Sequence, residues 1–86
     1  MEARYLDLIE RIRNAKFRTT RFSPGYDDQE VDNLHDRLVA TLRESELPDP
    51  EELHNVQFTT RRLRPGYAMP DVDTLLQEIA EASTQS

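Results

Sequence analysis

The sequence predicts a mainly α fold. It reads as two tandem helix–extended loop–helix repeats, packed as a short helical bundle or pseudo-dimer, with short β segments in the loops. Three observations carry this expectation. First, Phe17, Thr19, Arg21, Pro24, Gly25, Tyr26, Val31, Asp32 and Leu34 recur without a gap, at a constant offset of 41, as Phe58, Thr60, Arg62, Pro65, Gly66, Tyr67, Val72, Asp73 and Leu75. So many ungapped identities mark an internal duplication. Second, the segment after each motif spaces its apolar residues as one face of a helix. Third, each motif centres on a Pro-Gly-Tyr turn that opens directly into that helix. The repeats divide at residues 1–46 and 47–86 and together make one compact unit.

Taken in order, Tyr5, Leu8, Ile9 and Ile12 form one apolar face of a helix over 3–13, with Arg11 and Arg13 placed favourably at its C-terminal end. Phe17 to Phe22 is rich in Thr and aromatics and reads as extended chain. Ser23-Pro24-Gly25 turns it; Ser23 is held extended before proline, and Gly25 is free to take positive φ. Asp27 is then an N-cap with Glu30 at N3, a capping box. Tyr26 and Val31 occupy the two positions of a hydrophobic staple. The helix that follows spans 28–44, with Val31, Leu34, Leu38 and Leu42 as its stripe.

The linker 44–50 is charged and carries two prolines. Asp49 caps a short helix ending near Asn55, with Pro50 at N1 and Glu52 completing a second capping box. In the second repeat Tyr67 and Val72 keep the staple spacing, but Ala68 is a poor cap. The last helix, over 69–82, carries Val72, Leu75, Leu76, Ile79 and Ala82. The seven positions Val31, Leu34, Leu38, Leu42, Val72, Leu75 and Ile79 form the expected helix-pairing interface. Each stripe covers only about two heptads, too short for an autonomous coiled coil. It pairs either with the other helix of the same chain or with a second copy.

Composition bounds the function. A chain of 86 residues buries only about 60–65% of its extended surface, and such thin cores are often completed by dimerisation. Cysteine is absent, which removes disulfides, thiolate metal sites and thiol nucleophiles. The first residues are too charged for a secretory signal, and no apolar run is long enough to span a membrane, so the expectation is a cytoplasmic protein. Net charge is −6, yet eight of the eleven basic residues (Arg11, Arg13, Lys16, Arg18, Arg21, Arg61, Arg62 and Arg64) lie beside or inside the two motifs. The overall field repels phosphate, so general nucleic-acid binding is disfavoured. Those arginines either pair with the acidic helix starts or meet an anionic partner. There is no nucleophile–His–acid arrangement and no Gly-rich phosphate loop, which argues against an enzyme and against a small-molecule substrate. His35 and His54 lack metal-ligand spacing, and no cofactor is expected.

The run Asn55 to Leu75, with its Phe58, Arg61-Arg62, Pro65-Gly66-Tyr67 and Val72-Asp73, preceded by Leu47-Pro48-Asp49-Pro50, resembles the N-terminal domain of the bacterial DivIVA proteins. It most resembles the short actinobacterial type, and the copy from Asn14 to Leu34 matches less fully. The resemblance implies a non-enzymatic scaffold of cell division or polar growth that pairs through helices and lies at the inner face of the membrane. It further implies loop tips at Phe22 and Leu63, flanked by Arg18, Arg21, Arg61, Arg62 and Arg64. Two features depart from that family: a longer loop before Gly-Tyr, and no long coiled coil within these residues. The partner is then a protein or a second copy, with peripheral anionic membrane as a weak contact. The alternative is a small regulatory helical protein touching nucleic acid through the same arginines. Phe17, Phe58, Gly25, Gly66, Tyr26, Tyr67, Asp32 and Asp73 are read as structural, with Arg21 paired to Asp32 and Arg62 to Asp73. Phe22 and Leu63 stand open between core and exposed tip.

Overall fold

The computed structural model describes residues 5–21 and 23–84. Four helices, α1 (Leu6–Arg13), α2 (Asp28–Arg43), α3 (Pro50–His54) and α4 (Met69–Thr84), and four strands, β1 (Thr19–Thr20), β2 (Gly25–Tyr26), β3 (Thr60–Arg61) and β4 (Gly66–Ala68), follow in the order α1-β1-β2-α2-α3-β3-β4-α4. The expected mainly α bundle is corrected: the four short strands form one antiparallel sheet, in the order β1-β4-β2-β3, so the fold is mixed α and β.

The order explains why helical periodicity missed the sheet. β4 pairs antiparallel with both β1 and β2, and β2 pairs antiparallel with both β4 and β3. β1 and β2 therefore run in the same direction on either side of β4, and no strand pairs with one of its own repeat. In the sheet β4 stands between β1 and β2, and β2 stands between β3 and β4, so each repeat's two strands are separated by a strand of the other. The two loops are interlocked. Tyr26 lies opposite Tyr67 at the centre, while Thr19↔Tyr67 and Tyr26↔Thr60 are the same pairing in the two halves. The ladder continues beyond the strands, with Asp27 N donating to Thr59 O and Ala68 N to Arg18 O, each at 2.8 Å. These are again equivalent positions. The sheet is a pseudo-twofold object that one repeat alone cannot make.

At its axis two glycines face each other. A Cβ on Gly66 would stand 2.6 Å from Tyr26 O, and one on Gly25 would stand 2.9 Å from Tyr67 O. Neither glycine has positive φ. The residue is there because two backbones cross in contact, which corrects the turn-based reading of Gly25.

The helix ends follow local chemistry only in part. Asp27 caps α2, its Oδ1 accepting from Gln29 N and Glu30 N, and Asp49 caps α3 by accepting from Glu51 N. The Glu30 carboxylate turns instead to the other repeat and accepts from Thr59 N at 2.8 Å. The expected capping box is thus spent between repeats. At the end of α2, Ser45 adopts φ 62°, with Ser45 N donating to Leu42 O and Glu46 N to Thr41 O. That pair of bonds is a Schellman motif.

The core joins all four helices through Ile9, Ile12, Leu53 and the stripes of α2 and α4. Val31, Leu42, Val72, Leu75 and Ile79 are the largest side chains wholly closed to solvent. Fully burying each contributes about 1.5–3 kcal/mol. All seven residues of the expected pairing interface are buried inside the single chain. An ion pair joins the first and last helices on the outside, Arg11 Nε of α1 to Glu78 of α4 at 2.9 Å. The equivalent positions in the other half carry residues of exchanged sign, Glu52 and Arg37, which line one groove beside α3 without forming an ion pair among the described residues.

Candidate interaction surface

The described motif residues lie in the sheet, on its loops or in the helices that follow it. Phe17 and Phe58 pack half-buried against the core. Their rings lie 5.0 Å from Tyr67 and 5.1 Å from Tyr26, each across the repeat boundary. Tyr67 Oη donates to Asp32 at 3.0 Å, and Tyr26 Oη to Asp73 at 2.7 Å. Burial, then the carboxylate partner, pushes both phenols up to about 12. The expected pairs Arg21–Asp32 and Arg62–Asp73 are therefore corrected: each aspartate is held by the tyrosine of the opposite repeat, and neither arginine joins an ion pair among the described residues. Spacing within one repeat points the tyrosine to a local staple and gives no sign of a partner from the other copy.

The arginines divide into two groups. Arg18 grips Asp71 with its guanidinium at 2.9 and 3.1 Å, and its backbone N–H donates to the same carboxylate at 2.9 Å. Arg61 holds Asp27 through two nitrogens at 2.7 and 3.1 Å. The side-chain bonds from those guanidiniums hold Asp71 and Asp27 below the usual carboxylate range. These two arginines serve the fold by pinning each extended segment to the first turn of the other repeat's helix. They come from different positions of the motif, so each half has found its own clasp.

What is left for a partner is Arg21 on one loop and Arg62, Leu63 and Arg64 on the other, all exposed. Leu63 is 92% exposed, which resolves it as a tip; Phe22 lies outside the described residues. Beneath the sheet, two grooves occupy equivalent places in the two halves. One runs past Ile12, Phe17, Asp32, His35 and Tyr67, the other past Leu53, Phe58, Asp73, Leu76 and Tyr26. The Nε2 of His35 is buried without a hydrogen-bond partner among the described residues. The imidazole stacks 5.5 Å from Phe17, and its burial lowers its pKa. Among the described residues no group of three or more His, Asp or Glu could hold a metal ion, and no helix is long and apolar enough to cross a membrane. No family model, curated protein or solved structure matches the chain.

Proposed function

We propose that this chain is a non-catalytic interaction module of the DivIVA type, in which duplication has made one polypeptide do the work of a pair. Its contact element is the tip Arg62-Leu63-Arg64, together with Arg21. The observation that carries the reading is Leu63, 92% exposed between two arginines that join no ion pair among the described residues. A bare leucine flanked by cations suits an anionic surface with an apolar layer beneath it. Each such arginine contributes about 1 kcal/mol at an anionic bilayer, so a single tip attaches weakly and reversibly. This strength fits a scaffold that gains its hold from a protein partner as well.

Sedimentation with phosphatidylglycerol vesicles, set beside phosphatidylcholine vesicles, tests the proposal. The expected result is binding to the anionic vesicles only, reduced about tenfold by Leu63→Asp. No difference between the two lipids would sink the tip reading. Retention on duplex DNA, lost steeply with added salt, would replace it with the nucleic-acid alternative.

A further inference from the structure

The contacts that build the interlocked sheet are of two kinds. Most are the same in both halves: the strand register, the facing glycines and the crossed Tyr–Asp bonds. Arg18 N and Thr59 N are likewise equivalent, donating to Asp71 and Glu30 at 2.9 and 2.8 Å. Contacts of this kind would serve two first repeats, or two second repeats, equally well. The guanidinium clasps would not. At the offset of 41, Arg18 and Asp71 correspond to Thr59 and Glu30, and Arg61 and Asp27 correspond to Thr20 and Ala68. Neither clasp has a counterpart in the other half among the described residues.

We infer that the two clasps are the pairing code of the repeats: a first repeat selects a second repeat over one of its own kind, and accepts it from its own chain or from a second copy. Two second repeats would set Arg61 opposite Ala68 and Thr59 opposite Asp71, twice over, and would keep neither clasp. Two first repeats would let Arg18 meet Glu30, but would set Thr20 opposite Asp27. That carboxylate, with its side chain only 13% exposed, would then lie near Asp28 and Glu30 without the guanidinium that now faces all three. A half-buried charge stripped of its partner discriminates more strongly than a rim charge. The partner in trans is therefore a second copy with its halves exchanged, each sheet again joining unlike repeats. None of the strand pairings involves the linker 44–49, so exchange leaves the sheet unchanged. Ser45 is the natural hinge, because its φ of 62° is a strained conformation for an L-residue and is released when the chain leaves α2 in another direction. The inference does not depend on the loop tips, so vesicle binding and exchange can fail separately.

Two full chains that carry opposite halves of one reversed clasp test it, Arg18→Glu in one and Asp71→Arg in the other. Closed on itself, each chain sets like charges together. In a half-exchanged dimer of the two, one sheet joins the new glutamate to the new arginine and the other keeps Arg18 on Asp71. The chains are refolded together at roughly millimolar concentration, where association in trans competes with closure through a short linker. Native mass spectrometry with one chain isotopically labelled should show the mixed dimer exceeding each homodimer about tenfold, against about twofold for random pairing. That excess should shrink with added salt, which screens exposed charges. A variant that folds poorly alone should recover its far-UV circular dichroism on mixing. The double variant Arg18→Glu/Asp71→Arg, refolded with the wild-type chain, should form mixed dimers below the random ratio, because both sheets would then meet like charges. Absence of any dimer from the paired single variants would overturn the proposal. So would mixed dimers at the random ratio in either experiment.

Discussion

At the residue scale, Gly25 and Gly66 concentrate the constraint of the whole fold. Where the backbones of the two loops touch, a methyl group has nowhere to go but into a carbonyl oxygen, 2.6 Å from the ideal Cβ at Gly66. Gly66→Ala should therefore lower stability by about 1–3 kcal/mol, the usual range for overpacking, read as a lower denaturant midpoint at unchanged m-value. The two half-buried phenols make a second residue-scale prediction. Tyr26 and Tyr67 titrate near 12 in the fold, against an ordinary value of 10.0. A raised native pKa means that their stabilising contribution is complete below pH 10 and is lost as pH rises through about 12. Denaturation midpoints should fall across that window. In the Tyr26→Phe/Tyr67→Phe variant, lower in stability by roughly 1 kcal/mol per lost hydrogen bond, that fall should be flatter. An equal slope in both proteins would show that the phenols do not carry the alkaline transition.

At the element scale, helices and strands owe their existence to different ranges of the chain. The helices are local. Asp27 and Asp49 cap where spacing places them, and the stripe of α2 is apolar on one face only. The C-terminus of α2 carries a correctable strain, because Ser45 sits at φ 62°, a conformation costing an L-residue roughly 1–2 kcal/mol. Ser45→Gly should relieve it, with a net gain of about 0.5–1 kcal/mol after the extra chain entropy of glycine. Such a gain raises Tm by roughly 2–8 °C for a domain of this size. An unchanged or lower Tm in differential scanning calorimetry would count against the Schellman geometry. The strands, at two or three residues each, have no local claim to exist. They persist because each finds two neighbours or the start of a helix in the other repeat.

At the scale of the molecule, the duplication is what allows so short and polar a chain to close a core. Each repeat supplies half of a sheet whose every pairing crosses the repeat boundary, plus an aspartate for the opposite tyrosine. The linker 44–49 closes α2, caps α3 through Asp49 and seats Leu47 against the core, but it makes none of the strand pairings between the halves. A protease site inserted there should, after cleavage, leave halves that stay associated and folded, with a Tm that now rises with protein concentration. Separate elution of the two halves by gel filtration at micromolar concentration would refute the interlocked arrangement.

Much of this molecule was legible in the sequence. The offset of 41 gave the two units, 3.6-residue spacing gave α2 and α4 nearly to their ends, and Asp-Pro marked α3. All of these are determined by interactions within a turn or two of helix, which a local pattern records. The candidate site was legible in composition but not in detail. The motif offers five arginines as contacts, and only the tertiary structure shows that Arg18 and Arg61 are committed to Asp71 and Asp27 while Arg62, Leu63 and Arg64 stand exposed. The sheet, the facing glycines, the crossed Tyr–Asp bonds and the two unmatched arginine clasps were decided by tertiary structure alone. Each depends on a residue meeting a partner from the other repeat, and nothing in the spacing within one copy records which partner that is.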